Sequence, residues 1–152
     1  MSDSLILQRI SILVINQDRA VLDKIKSLIN SFGIDRVHCV NTYEEAVEIV
    51  CTKKIRFDLV VSTMCLGDDS KYNGVDICRR IKVEDPRTLC LIASDEYSDD
   101  ELIELLSCNI DGIVDKKNMI RIMAKWISVL TQKKILQNLI HTGYNEPSLE
   151  QA

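Results

Sequence analysis

The sequence predicts an open parallel α/β sheet covered by helices on both faces, and three observations lead to this prediction. Short runs of β-branched and aliphatic residues alternate with segments whose apolar residues recur at helical spacing. The runs are apolar at consecutive positions, which indicates strands that are buried on both faces. The chain has 152 residues, 46% of them hydrophobic, and this suffices for one domain with a full-sized core.

The first half of the chain supplies two predicted strands and two predicted helices. The first strand is ISILVI at 10–15, and Asp18 is expected to cap the helix behind it. Gly33 is placed to end that helix as a C-terminal glycine does. The second strand is RVHCV at 36–40, after which Thr42, with an acid three residues on, predicts the start of another helix.

The second half of the chain repeats the alternation three times. The predicted strands are FDLVVS at 57–62, TLCLIAS at 88–94 and DGIVD at 111–115. Ser98 is expected to cap the helix before the last strand, and the final helix is predicted to begin near Asn118. Five strands alternating with five helices favour a doubly wound, flavodoxin-like (βα)5 sheet with strand order 2-1-3-4-5.

Composition excludes several classes of function. The formal net charge is −4, which provides no basic footprint for nucleic acid, and no block of like charges suggests a membrane surface. The N-terminus lacks the basic start and the cleavage site of a signal peptide, and no apolar run is long enough to span a bilayer. We therefore expect a cytoplasmic protein that binds neither nucleic acid nor membrane.

The six cysteines are not arranged as a CxxC pair, so a zinc site is not expected. They lie mostly within apolar runs, which predicts small buried side chains in a reducing compartment. They are Cys39, Cys51, Cys65, Cys78, Cys90 and Cys108.

Polar residues follow the first and third predicted strands, where a ligand would bind in a sheet of this order. Asn16, Gln17 and Asp18 follow the first strand, and Ser62 and Thr63 end the third. Threonine is a poor nucleophile without a neighbouring base, and neither amide can act as one. Asp18 could serve as a base or metal ligand, but a residue that opens a helix more commonly caps it.

The chain from about Ser11 to Leu130 resembles the response-regulator receiver domains of two-component signalling. The segments ILVINQD, FDLVVSTMCLG, NGVDICRRIK, LCLIASD and IDGIVDKK carry the resemblance, in order and at the expected separations. In that family two acids after strand one hold Mg²⁺, an aspartate after strand three accepts the phosphoryl group, and a hydroxyl and a lysine end strands four and five. The corresponding residues here are Asn16 and Gln17, Thr63, Ala93 and Lys116.

This substitution pattern predicts a degenerate phosphorylation pocket. Neutral amides are weaker ligands for Mg²⁺ than carboxylates, and Lys116 would be alone in neutralising phosphoryl charge. Thr63 is expected to fill the pocket and to hydrogen-bond its neighbours. Lys116 could bond Asn16 or Thr63, face solvent, or bind an anion. We expect a pseudo-receiver without catalytic residues, metal or cofactor; the alternative is an atypical phosphotransfer or ligand-binding receiver that uses Thr63, Lys116 or a loop aspartate.

The loop GDDSKYNG looks about three residues longer than in common receivers. Its Asp68 and Asp69, together with Asp76, are either a solvated acidic loop or ligands of an altered divalent-cation site.

The last helix is apolar around much of its circumference, which predicts contact with a partner as well as with the sheet. Receivers commonly signal through the face built by the fourth helix, the fifth strand and the fifth helix. We expect that face to bind a signalling protein or a second copy of the chain. We divide the chain into a receiver-like domain, 1–132, and a helical extension with a disordered tail, 133–152. The predicted contact residues are Ile113, Met119, Ile122, Met123, Trp126 and Val129.

Overall fold

The computed structural model describes residues 3–67, 70–94 and 98–141, which form a five-stranded sheet between two layers of helices. A π-helical turn continues the third helix, and a 3-10 turn precedes the last. The strands are β1 (Ser11–Ile15), β2 (Arg36–Val40), β3 (Leu59–Thr63), β4 (Leu89–Ala93) and β5 (Gly112–Val114). The helices are α1 (Asp3–Leu7), α2 (Arg19–Ser31), α3 (Tyr43–Val47), α4 (Gly74–Glu84), α5 (Asp99–Ser107) and α6 (Met119–His141).

The sheet has the predicted topology. All four strand pairs are parallel, and their order is β2-β1-β3-β4-β5. The strand β1 shows why its sequence is apolar at consecutive positions. Ile12 and Val14 belong to the core layer that contains α2 and α6, whereas Leu13 and Ile15 belong to the layer that contains α3, α4 and α5. Each strand residue therefore has an apolar face to fill, as parallel sheets require.

The predicted helix boundaries rest on local hydrogen bonds. The Asp18 carboxylate accepts from the Ala20 backbone N–H at 2.9 Å, and the Thr42 hydroxyl accepts from the Glu45 N–H at 3.1 Å. Gly33 follows α2 with φ of 91°, a left-handed conformation that glycine adopts without a steric penalty. These caps confirm the boundaries that the sequence predicted for α2 and α3.

The sequence analysis predicted five helices, and α1 was not among them. Five residues form too short a helix to be stable alone, so tertiary contacts must stabilise it. It packs against α6, Ile6 is buried, and the Arg9 guanidinium reaches the Asn138 side-chain oxygen at 3.5 Å.

The helix α6 extends well past the sheet, as predicted. It has 23 residues, and the Lys134 ammonium pairs with the Asp58 carboxylate at 3.0 Å. This ion pair ties the extension to the amino end of β3. Residues 143–152, which were predicted to be a disordered tail, lie outside the described residues. Within the described part of the chain no helix, α6 included, is long and apolar enough to cross a bilayer.

The structure corrects one residue of the predicted partner face. Met123 is 0% exposed and lies in the core layer with Ile127 and Leu130, so it cannot contact a partner. Helical periodicity shows that these residues share a stripe, but not which part of a wide stripe meets the sheet.

The cysteines are more varied than predicted. Cys78 and Cys90 are buried, and three others are partly buried, but Cys65 is exposed in the loop after β3. A hydrogen bond with Cys90, together with burial, raises the pKa of the Cys78 thiol well above its ordinary value. Cys78 is therefore a neutral core side chain, whereas the expectation of a buried thiol is wrong for Cys65.

Candidate functional site

The register of the sheet brings the predicted pocket residues to one edge. Ile15 pairs with Ser62, and Thr63 pairs with Ala93, so β1, β3 and β4 end side by side. Asn16 directly follows β1, and its backbone N–H donates to the Val40 carbonyl at 3.1 Å. The carboxyl ends of these strands therefore form the edge at which sheets of this order bind ligands.

Asn16 and Asp18 are engaged in a local turn and a helix cap. The Asn16 side-chain oxygen accepts from the Asp18 backbone N–H at 2.9 Å. Asp18 in turn caps α2 through the Ala20 N–H. Both side chains thus use an oxygen to satisfy backbone donors, which leaves less of their bonding capacity for a ligand.

Gln17 lies against the loop that follows β3. A methyl group built on Gly67 would come within 3.3 Å of the Gln17 side-chain oxygen. Gly67 has φ of 111°, so its conformation also favours glycine. The loops after β1 and β3 therefore meet at Gln17, as the strand order predicts.

Thr63 and its neighbours form the tightly packed floor of the edge. Ser62 is fully buried, and its hydroxyl donates to the Thr63 carbonyl at 3.0 Å. The Gly74 N–H donates to the Met64 carbonyl at 2.9 Å, and a Cβ on Gly74 would stand 2.1 Å from the Thr63 carbonyl oxygen. Thr63 itself is half-buried, and its hydroxyl bonds no other described residue, contrary to the hydrogen bonding that we predicted.

The remaining pocket positions lie on β4 and after β5. Ala93 is largely buried and pairs with Val114, which is fully buried. Asp115 caps the 3-10 turn that Lys116 opens, accepting from the Asn118 N–H at 2.7 Å. The backbone of Lys116 thus begins at the predicted edge, whereas its side chain lies outside the described residues.

The acidic loop supplies only one described carboxylate. Asp68 and Asp69 lie outside the described residues. Asp76 forms a capping box with Asn73, whose N–H donates to the Asp76 carboxylate at 2.8 Å, and so it stabilises α4. Among residues 3–67, 70–94 and 98–141 no cluster of three or more His, Cys, Asp or Glu side chains could hold a metal ion.

Two features of this edge were missed in the sequence. Gly74 opens α4 within van der Waals distance of the β3 end, and an isolated glycine at a helix start carried no such signal. Tyr72, from the long loop, stacks on Tyr43 of α3 with ring centroids 4.5 Å apart. This contact joins residues far apart in sequence, so periodicity could not reveal it.

Comparison with known proteins agrees with this geometry. The family model for the response regulator receiver domain matches residues 12–127 of the sequence. A receiver domain protein from Clostridium thermocellum has a TM-score of 0.71 at 23% identity, over 84% of this chain and 98% of that one. A two-component response regulator from Clostridium difficile gives 0.69 at 18% identity, over 82% and 97%. The signal receiver domain of an HD domain-containing protein from Pseudomonas fluorescens gives 0.71 at 14%, over 86% and 93%.

No curated protein matches the sequence. The family model covers β2 to β5 entirely, all of β1 except Ser11, and α6 as far as Ile127. The chain therefore belongs to the response regulator receiver domain family.

Proposed function

We propose that this receiver domain works without phosphorylation, as a non-enzymatic module that binds other signalling proteins in the cytoplasm. The observation that carries the proposal is the replacement of the acid pair and the phosphoacceptor by Asn16, Gln17 and Thr63 at the edge where β1, β3 and β4 end side by side. An interaction surface, rather than a reaction, is then the property that such a domain retains.

The donor set at this edge fits Mg²⁺ poorly. Mg²⁺ binds proteins through carboxylates and demands near-ideal octahedral geometry. Asn16 provides a neutral oxygen that already accepts a backbone hydrogen bond, and Asp18 already caps α2. Phosphoryl transfer also requires cationic stabilisation of the transferring oxygens, which neutral amides do not supply.

The alternative function is atypical phosphotransfer or ligand binding through Thr63, Lys116 or a loop aspartate. The half-buried Thr63 hydroxyl favours this alternative, because it forms no hydrogen bond with a described residue. Against it, the neighbouring Ser62 hydroxyl donates to a carbonyl and is too weak a base to take the Thr63 proton at neutral pH.

Incubation with acetyl phosphate and Mg²⁺ separates the two functions. We expect the intact mass of the wild-type chain to remain unchanged, because Thr63, Asn16 and Gln17, which stand at the positions of the phosphoacceptor and the metal-binding acids, carry no carboxylate. A phosphorylatable receiver domain treated in parallel shows that the reagent is active. Stoichiometric addition of phosphate to the wild-type chain would contradict the proposal, and lability to hydroxylamine would then distinguish an aspartyl phosphate from phosphothreonine.

A restored variant tests whether missing carboxylates are the cause. We expect N16D/Q17D/T63D to bind Mg²⁺ more tightly than wild type in a fluorescence or calorimetric titration, since three acids replace three neutral groups.

The proposed partner surface combines α5, β5 and α6, which correspond to the fourth helix, fifth strand and fifth helix of the sequence analysis. Ile113 and Val129 are each 41% exposed, whereas Met119, Ile122 and Trp126 are half-buried and pack on the core. Ile113 and Val129 are therefore the residues of this set that a partner would contact most fully. Ile113 belongs to β5 and Val129 to α6, the strand and the helix of the proposed face.

Self-association through this face can be tested by sedimentation velocity. We expect wild type to form a dimer and I113D/V129D to remain monomeric, because a buried unpaired carboxylate opposes association. V83D is the matched control, since Val83 is 79% exposed on α4 and lies outside the face. Point variants are preferable to truncation after Leu130, which would also remove the Lys134–Asp58 ion pair. A monomeric wild type would exclude self-association and leave a heterologous partner.

A further inference from the structure

A cavity lies at the edge of the sheet where the strands begin, opposite the edge that carries Asn16 and Thr63. Its volume is about 260 Å³, and its walls come from the amino ends of β1, β3 and β4, the segment after α1, and the extension of α6. Ser11 and Thr88 are at the strand ends, and Gln137 is on the helix. The cavity therefore depends on the part of α6 that runs beyond the sheet.

The lining of this cavity is strongly cationic in a chain whose net charge is −4. Five basic side chains face two carboxylates, an excess of three positive charges. Ion pairs neutralise two of the five: Lys134 with Asp58 at 3.0 Å, and Arg87 with Asp85 at 3.3 Å. The other three basic residues are Arg9, Arg56 and Lys133.

None of these three cations forms an ion pair with a described acidic side chain, although Arg56 is near enough to Asp85 for its charge to lower the pKa of that carboxyl. The Arg9 guanidinium lies 3.5 Å from the neutral side-chain oxygen of Asn138. Arg56 is exposed, and Lys133 is partly buried beside the ion-paired Lys134. Like charges that converge without ion-pair partners repel one another, and this repulsion costs free energy that a bound anion would relieve.

The cavity has a rigid frame. The Asp58 carboxylate accepts from the Ser11 N–H at 2.9 Å, and the buried Thr88 hydroxyl donates to the Phe57 carbonyl at 2.8 Å. Partial burial alone would raise the pKa of Asp85, but hydrogen bonds from Arg87 and the charges of Arg87 and Arg56 lower it overall. The local field therefore favours negative charge at this position.

We propose that this cavity binds the phosphate group of a small soluble phosphorylated compound. The guanidinium groups of Arg9 and Arg56 offer planar, forked donors that match phosphate oxygens, and Lys133 adds a third positive charge. A volume of 260 Å³ is at the small end of ligand pockets, which suits a diphosphate-sized group rather than a polymer. The site would stand independently of whether Thr63 can be phosphorylated, because it lies at the other edge of the sheet.

The test is a titration of ¹⁵N-labelled full-length chain with pyrophosphate at constant ionic strength. We expect saturable amide shifts at Ser11, Asp58 and Lys134, which line the cavity, without comparable shifts at Asn16. In R56Q/K133Q the dissociation constant is expected to rise at least about tenfold, because each lost charge-assisted hydrogen bond weakens binding by roughly that factor.

The matched control is K24Q/K53Q, which removes the same charge from exposed positions outside the cavity. It is expected to bind pyrophosphate as wild type does. If both double variants bound pyrophosphate equally weakly, the effect would be one of overall charge, and the proposed site would be rejected. Amide shifts that never saturate would reject it as well. Binding to phosphatidic acid vesicles without binding to pyrophosphate would also overturn it, in favour of a lipid headgroup.

Discussion

Replacing Gly74 by alanine is expected to lower the free energy of unfolding by about 3 kcal/mol. The added Cβ would stand 2.1 Å from the Thr63 carbonyl oxygen and 3.0 Å from the Ser62 hydroxyl. The closest obstacle is backbone in the middle of the sheet, so neither a side-chain rotation nor a small loop movement can relieve the overlap. The helix α4 must move away from β3, which also disturbs the Gly74–Met64 hydrogen bond.

Urea denaturation of G74A and wild type measures this loss, and N73A separates the clash from helix capping. Asn73 caps α4 one residue earlier, so its replacement removes a capping box without adding an atom at the strand. We expect N73A to cost about 1 kcal/mol, clearly less than G74A. A G74A midpoint equal to that of wild type would show that α4 does not approach β3 this closely.

Replacing Met123 by alanine is expected to destabilise the domain by about 2–5 kcal/mol. Met123 is fully buried in the layer between α6 and the sheet, with Val114 and Ile127 in the same cluster. Truncating its side chain removes apolar contacts and leaves a cavity that the close-packed neighbours can fill only in part.

Val129 is the matched comparison on the same helix. It was assigned to the same stripe, but it is 41% exposed, so V129A is expected to change stability by no more than about 0.5 kcal/mol. Thermal or urea unfolding of both variants is the measurement. Similar losses in the two would mean that α6 is rotated relative to the sheet described here.

The fold was accessible from sequence because its strongest signals are local. Consecutive apolar residues in β1 report burial on both faces, and the capping residues Asp18 and Ser98 act on donors within three positions. The alternation of strands and helices predicts the parallel sheet, and the order 2-1-3-4-5 is the one expected of a flavodoxin-like fold.

The position of the candidate site could also be predicted from the sequence. The ends of β1 and β3 had to meet at one edge, so Asn16 and Thr63 could be assigned to it before their neighbours were known. The packing there could not be predicted. Gly74 approaches Thr63 from the far end of a loop, and Asp76 caps α4 instead of joining an acidic site.

Local sequence thus decides the number of strands, the helix caps and the neutral character of Asn16, Gln17 and Thr63 at the candidate site. Tertiary structure alone decides that Met123 is core while Val129 is surface, and that α1 forms against α6. It also brings Arg9, Arg56 and Lys133 to one cavity. The physical reason is range: capping and periodicity act over a few residues, whereas burial and the convergence of charge depend on which distant surfaces pack together.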